Sequence, residues 1–375
     1  MMKRFIGLIS RHKQLTSAIM LLFLCVILNI LAWTASGFSD WYAENIFPFW
    51  VATFGRVTSL LPFSFGEILI ITGIILVIVS VLGIVPLLMI FGKKRRLIGK
   101  IYGFTYLWIL TFIVLTETLN CFILYHCTPV SEYYDIGSRE HTDAQLIALA
   151  DALIDKTNEL APQMTRDKDG YFILTADLDE TARNAVGALS EEFDRLGGYY
   201  VRPKKIMNSF FMSQQYLMGI YFPFSMEANY NQEMYQCNLP ETVCHELVHT
   251  KGFMPEDEAN FFAFLACIRT DNKEYNYSGY LSTVKYVLGK VGEYCGEQQE
   301  NELYAKLSEY AWQDITGNRK YWDDVQQSDE GLFDSETVAE ISDKAMETSL
   351  KLNGIEDGKR SYGRMVDLLL NYYFK

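Results

Sequence analysis

Glu241-Thr242-Val243-Cys244-His245-Glu246-Leu247-Val248-His249 decides how the rest of this chain is read. The stretch contains His-Glu-x-x-His and reads as a helix. Two histidines four apart lie on one helical face and can point neutral imidazoles at a single cation. Glu246, beside the first, can take a proton from a water that such a cation polarises. With five histidines in the chain, the pattern arises by chance in roughly one such sequence in two hundred. The competing reading is a helix whose histidines face solvent or core. Val243, Leu247 and Val248 make the helix largely apolar and therefore buried. Two buried imidazoles and a carboxylate are costly unless something pairs with them, and a metal ion does.

A third ligand is expected close by. Gly252 can end the first helix, and Pro255 suits the first turn of a second, Glu256-Asp257-Glu258-Ala259-Asn260-Phe261-Phe262-Ala263. Glu256 and Glu258 lie about 200° apart around a helix, so only one can face the metal. Glu256 shares a face with Asn260, which suits Asn260 as the partner that holds the ligating carboxylate. Glu256 is the favoured ligand and Glu258 the reserve.

These residues carry a resemblance. Glu256-Asp257-Glu258-Ala259-Asn260-Phe261 resembles the third-ligand helix of small bacterial metallopeptidases that cleave phage-type repressors. It is also similar to the Glu-x-x-x-Asp helix of membrane zinc proteases of the prenyl-protein-processing type, with Asn260 where those carry aspartate. In both, the first glutamate is the ligand, which implies Glu256 here. The wider stretch from Gly219 to Cys267, with Tyr221-Phe222-Pro223-Phe224 and Glu227-Ala228-Asn229, resembles an uncharacterised bacterial family. Its members are three-helix membrane proteins with a zincin-like domain. That likeness extends through Asn353-Gly354 and Ser361-Tyr362-Gly363 and implies topology and a metal site, not a substrate.

The apolar half of the composition crowds into the first third of the chain. Leu15 to Phe38, Ile68 to Phe91 and Tyr102 to His126 each approximate the ~20 residues that cross a bilayer as a helix. A signal peptide is the alternative for the first, but its run is long for one, and a signal anchor is the reading. Lys3, Arg4, Arg11 and Lys13 precede the first span, and Lys93-Lys94-Arg95-Arg96 with Lys100 separate the second from the third. The positive-inside rule puts those segments in the cytoplasm and everything after Cys127 outside. Glu117, in the third span, is read as hydrogen-bonding across the bundle, with a functional role as the alternative. The loop from Ser39 to Gly66 is aromatic enough to lie in the outer interface. A net charge of −13 argues against a nucleic-acid partner.

In the outer part, Ala144–Glu159, Thr181–Leu196, Tyr277–Val291, Glu297–Gln313, Ser335–Asn353 and Tyr362–Tyr373 read as helices. Tyr171–Leu174 reads as a short strand, Ile206–Phe211 and Gly219–Ser225 carry β-formers, and Gly317-Asn318 reads as a turn. Unpaired edge amides bind extended peptide whatever its side chains, so Gly219–Phe224, with Tyr221 and Phe222, is a candidate substrate edge strand. A purely structural strand ended by Pro223 is the equal alternative. Tyr362 is a candidate oxyanion stabiliser, a loop or cap role being the alternative. Cys237, Cys244, Cys267 and Cys295 leave disulfides possible outside the membrane.

The reading is a mainly α chain in two parts. Residues 1–127 form a membrane domain of three transmembrane helices, and residues 128–375 an extracytoplasmic α+β zincin-like metallopeptidase domain with a small sheet. His245, His249 and Glu256 would hold Zn2+, and Glu246 would be the general base toward a peptide or protein substrate. The host is a bacterial plasma membrane with the N-terminus cytoplasmic. The alternative function is a non-catalytic zinc-binding sensor or envelope-assembly protein.

Overall fold

Three long apolar helices come first: α1 (Lys13–Thr34), α2 (Phe65–Ile90) and α3 (Arg95–Glu117). The computed structural model describes residues 13–90, 92–331, 333–353 and 364–374. α3 continues through a π-helical turn, Thr118–Phe122, and a 3-10 turn to His126. All three are long and apolar enough to cross a membrane. α1 lies against α3, where Asn29 Nδ2 donates to Thr118 Oγ1 at 3.1 Å. Between α1 and α2 a run of short helices from Phe38 to Ser59 exposes Trp41, Phe49 and Val57.

The rest of the chain continues with α4 (Asp143–Leu160), α5 (Leu178–Ala188), β1 (Lys204–Lys205), β2 (Gly219–Phe222) and β3 (Glu227–Tyr230). Then come α6 (Leu239–His249), α7 (Glu256–Arg269), α8 (Lys273–Cys295), α9 (Glu309–Gln327), α10 (Ser335–Leu352) and α11 (Arg364–Tyr373). The strands form one sheet in the order β1-β3-β2, with β1 parallel and β2 antiparallel to β3, so β2 is an edge.

α7 sits in the centre. Its run Phe261–Cys267 has no exposed surface, as expected of a helix apolar on every side. α5, α6, α8 and α11 surround it, and α4 lies along α8. Helix starts follow from the sequence: Thr142 and Gln145 form a capping box on α4, and Asn272 and Ser308 cap α8 and α9.

The apolar helices and the rest of the chain share one core, which joins Tyr42, Phe47, Ile123 and Leu124 to Leu149, Leu247 and Phe261. Polar bonds reinforce the joint. Glu227, paired with buried Lys204, accepts the N–H groups of Phe65 (3.0 Å) and Gly66 (2.7 Å) in the first turn of α2. Glu67 returns the favour by accepting from Met207 and Asn208, both at 2.9 Å.

Several local expectations are overturned. Ile206–Phe211 is not a strand, because the Asn208 side chain accepts the Phe211 N–H and starts a helix, Ser209–Gln214. Tyr171–Leu174 contributes only an isolated bridge, Arg166 to Phe172. Ser308 splits the expected helix 297–313, and α5 stops at Ala188 before two 3-10 turns. Gly317-Asn318 lies inside α9. A Cβ on Gly317 would meet the Tyr171 and Tyr235 rings at 2.8 and 2.9 Å, so this glycine admits aromatic rings and makes no turn. All seven cysteines are free, and Cys244 and Cys267 sit Sγ to Sγ at 3.9 Å.

α9 is tied to the core by Asp314, which is fully buried. Its carboxylate accepts two bonds from Arg166 (3.0 and 2.9 Å) and the hydroxyls of Tyr235 (2.7 Å) and Tyr277 (2.6 Å). Asp314→Ala leaves a mostly buried guanidinium and two phenols without their acceptor, at a cost of about 3–5 kcal/mol. Thermal unfolding in detergent should register a midpoint lower by roughly 5–15 °C. An unchanged midpoint would show that the network relaxes into water.

Candidate metal centre

The site is assembled by a reversal between two helices. α6 starts with Pro240 in its first turn and ends at His249. Gly252, at φ +91°, turns the chain back, and a Cβ there would meet Phe47 and Leu124 at 3.3 Å. Only glycine combines that backbone conformation with so close an approach. α7 then begins with Glu256, Asp257 and Glu258, acids suited to a helix N-terminus.

This brings His245, His249 and Glu256 together, with one ligand atom from each lying within 4.8 Å of the others. The two Nε2 atoms are 3.0 Å apart. Glu256 Oε2 lies 3.2 Å from His245 Nε2, and its Oε1 lies 3.7 Å from His249 Nε2. The far sides of both rings are committed. His245 Nδ1 bonds Asn260 Oδ1 and His249 Nδ1 bonds the Phe253 carbonyl, each at 2.7 Å. Both partners only accept, so the protons of the neutral rings sit on Nδ1 and the Nε2 lone pairs converge.

Without an ion the cluster depends on a proton. Burial disfavours charge on His245, yet the hydrogen-bonded Glu256 overrides it and raises this histidine to about 10. Burial and the neighbouring His245 charge hold His249 down to about 4. Burial pushes Glu246 up to about 8, against the pull of His245 and with help from Glu256 and Glu241. One shared proton thus holds an arrangement that a cation could hold instead. Two buried atoms beside it have no hydrogen-bond partner, Glu246 Oε2 and Asn260 Nδ2. The donor set, two imidazoles and a carboxylate, is one that zinc accepts.

Glu246 stands against the edge strand. A Cβ on Gly219 would lie 2.6 Å from Glu246 Cγ. Tyr221 places its ring 6.4 Å from that of His249 and donates its hydroxyl to the Asn120 carbonyl. The cluster opens into a cleft of about 670 Å³ between β2, α6 and one face of α10, including Met346 and Leu350. Phe222 instead packs with Ile206 and Met212, away from the cluster.

Glu258 does not join the cluster. On the other side of α7 its Oε1 accepts the Val130 N–H at 2.7 Å, and burial raises it to about 8. Asn260 is beside the site but orients His245 and not the Glu256 carboxylate, because its Oδ1 faces the ring. Tyr362 lies outside the described residues. Cys121, Tyr125 and Met346 border the cleft without having been singled out, beside Gly219, the first residue of the candidate edge strand. The close approach of Gly219 had no local signal, and Cys121 and Tyr125 come from a helix more than a hundred residues upstream.

The chain belongs to the family described as "Protein of unknown function (DUF3810)", which it matches over residues 42–370. No curated protein and no solved structure matches it.

A cation entering this cluster must displace the proton that His245 keeps up to about pH 10. The sign follows: affinity for a divalent ion rises with pH and falls about tenfold for each unit lowered below that value. At pH 7 at least one proton should leave per ion bound, read calorimetrically in buffers of different ionisation enthalpy. Binding without proton release would place the ion elsewhere.

Proposed function

We propose that this member of the family is a membrane-anchored zinc-dependent metallopeptidase that hydrolyses peptide bonds on the extracytoplasmic face. The observation that carries the reading is the convergence of His245 Nε2, His249 Nε2 and Glu256 beside a buried, unpartnered oxygen of Glu246. Among the described residues no fourth ligand joins the three. A site closed by four protein ligands would be structural, and one with an open position suits catalysis. The side of the membrane follows from Lys93 and Lys94, in the turn between the second and third apolar helices, with Arg95, Arg96 and Lys100 at the start of the third.

Zinc bound there would supply Lewis acidity toward water and toward a peptide carbonyl. The protein residues supply the rest. His245, His249 and Glu256 hold the ion, while Asn260 and the Phe253 carbonyl fix the two rings. Glu246 takes the proton of the attacking water and hands it to the leaving amine. The outer edge of β2 receives the substrate backbone as an added strand. Gly219 keeps that strand close to Glu246 without touching its carboxylate.

Two substitutions test the assignment. Glu246→Gln should retain zinc by elemental analysis while kcat on a susceptible peptide falls by about 10²–10⁴; undiminished cleavage would remove Glu246 from the role of base. Gly219→Ala puts a methyl against Glu246, and a displacement near 1 Å should lower kcat about 10²-fold with zinc content and KM unchanged. An unchanged kcat would show that the carboxylate moves aside without consequence.

A further inference from the structure

β2 links the metal cluster to the membrane boundary. Its first residue, Gly219, faces Glu246. At its other end Asn120 Nδ2 donates to the Pro223 carbonyl at 2.7 Å, and Tyr221 donates to the Asn120 carbonyl at 3.3 Å. Asn120 belongs to the third apolar helix, whose last cation before the apolar run is Lys100. The twenty residues from Ile101 to Asn120 rise about 30 Å at 1.5 Å each, the thickness of the hydrocarbon core. Asn120 therefore stands at the bilayer boundary opposite the basic turn. Cys121, the next residue, and Tyr125, about a turn beyond it, line the same cleft as His245 and Glu246.

The short helices between α1 and α2 place apolar surface at this level. Phe47 touches the Gly252 turn that closes the metal site, and in the same segment Phe49 is 60 % exposed. Leu60, just beyond it, is 80 % exposed. Exposed aromatic and apolar side chains of this kind belong at a lipid interface. The segment that carries this exposed surface thus also packs, through Phe47, against the turn that follows His249.

β2 also sets a direction. Asn231 N–H donates to the Met218 carbonyl, and the register pairs Ile220 with Asn229. By the alternation of an antiparallel ladder, Gly219 and Tyr221 turn their backbone groups to the open edge. Among the described residues no strand pairs with that edge. Beyond Gly219 the cleft continues past Met218 and Tyr216 into a second cavity of about 830 Å³, walled by Tyr235, Tyr304, Trp312 and Trp322.

We infer that the substrate is an extended polypeptide tethered to the bilayer, which leaves the membrane beside Asn120, runs along β2 and is cut opposite Glu246. This rests on the peptidase reading above. Three residue steps separate Phe222 from Gly219, about 10 Å of strand, so the scissile bond lies roughly three to six residues from the membrane surface. The distal part of the substrate reaches the aromatic cavity.

The test uses the full chain with zinc in lipid vesicles. Single-span substrates carry a randomised twenty-residue segment next to their transmembrane helix, and the same randomised segments are supplied as soluble peptides. Cut positions are read by mass spectrometry, with a chelator as control. Cuts should cluster within about six residues of the bilayer, with at least tenfold fewer beyond residue ten and at least tenfold slower cleavage of the soluble peptides. Cuts spread evenly, or soluble peptides cleaved as fast, would overturn the inference and leave the peptidase standing. No chelator-sensitive cut in either set, with zinc bound, would overturn both.

Discussion

Two imidazoles and two carboxylates largely withdrawn from water impose their terms on the whole molecule. His245, Glu246, His249 and Glu256 sit where α6 meets α7, inside a shell of phenylalanine, leucine, valine and alanine. Each polar atom brought to that depth needs a partner or an ion, since an unpaired one costs on the order of 1–3 kcal/mol and a bare charge more. Asn260 on α7 and the Phe253 carbonyl beyond Gly252 answer for the two rings. Their placement requires the tight reversal at Gly252 and a central helix buried on all sides, and the surrounding helices follow from covering that helix.

The second constraint is the joint with the apolar helices. Glu227 and Glu67 exchange backbone hydrogen bonds between the sheet and the start of α2, and Asn120 ties the end of β2 to the third apolar helix. Several of these groups are buried, where loss of a partner leaves a desolvated donor or acceptor. The sheet is therefore held to the apolar helices at two points. Since β2 also borders Glu246, the same bonds set the position of the site relative to the apolar helices.

Much of this was legible because its signals are local. Histidines four apart declare a shared helical face, and long apolar runs declare spans. The helices around Leu149, Val284 and Leu288 show their periodicity. What was missed depended on partners remote in sequence. Asn208 outweighed the β-formers around it by capping a short helix, and Gly317 proved to be a notch for two tyrosine rings. The angle between the two acids of Glu-x-Glu showed only that one of them could face the histidines. Asn260 and the family resemblance favoured Glu256, which does face them, although Asn260 holds His245 and not that carboxylate. The destination of Glu258 at the Val130 N–H could not be foreseen, because that donor lies 128 residues away.

The sequence alone determined which side chains share a helical face and which segments are too apolar for water, because both properties are set by neighbours within a few turns. Only the tertiary structure decided that Asn260 meets a ring and not a carboxylate, that Gly219 stands against Glu246, and that the cleft reaches the third apolar helix. Those are distances between segments far apart in the chain, and only the packing of the whole core sets them.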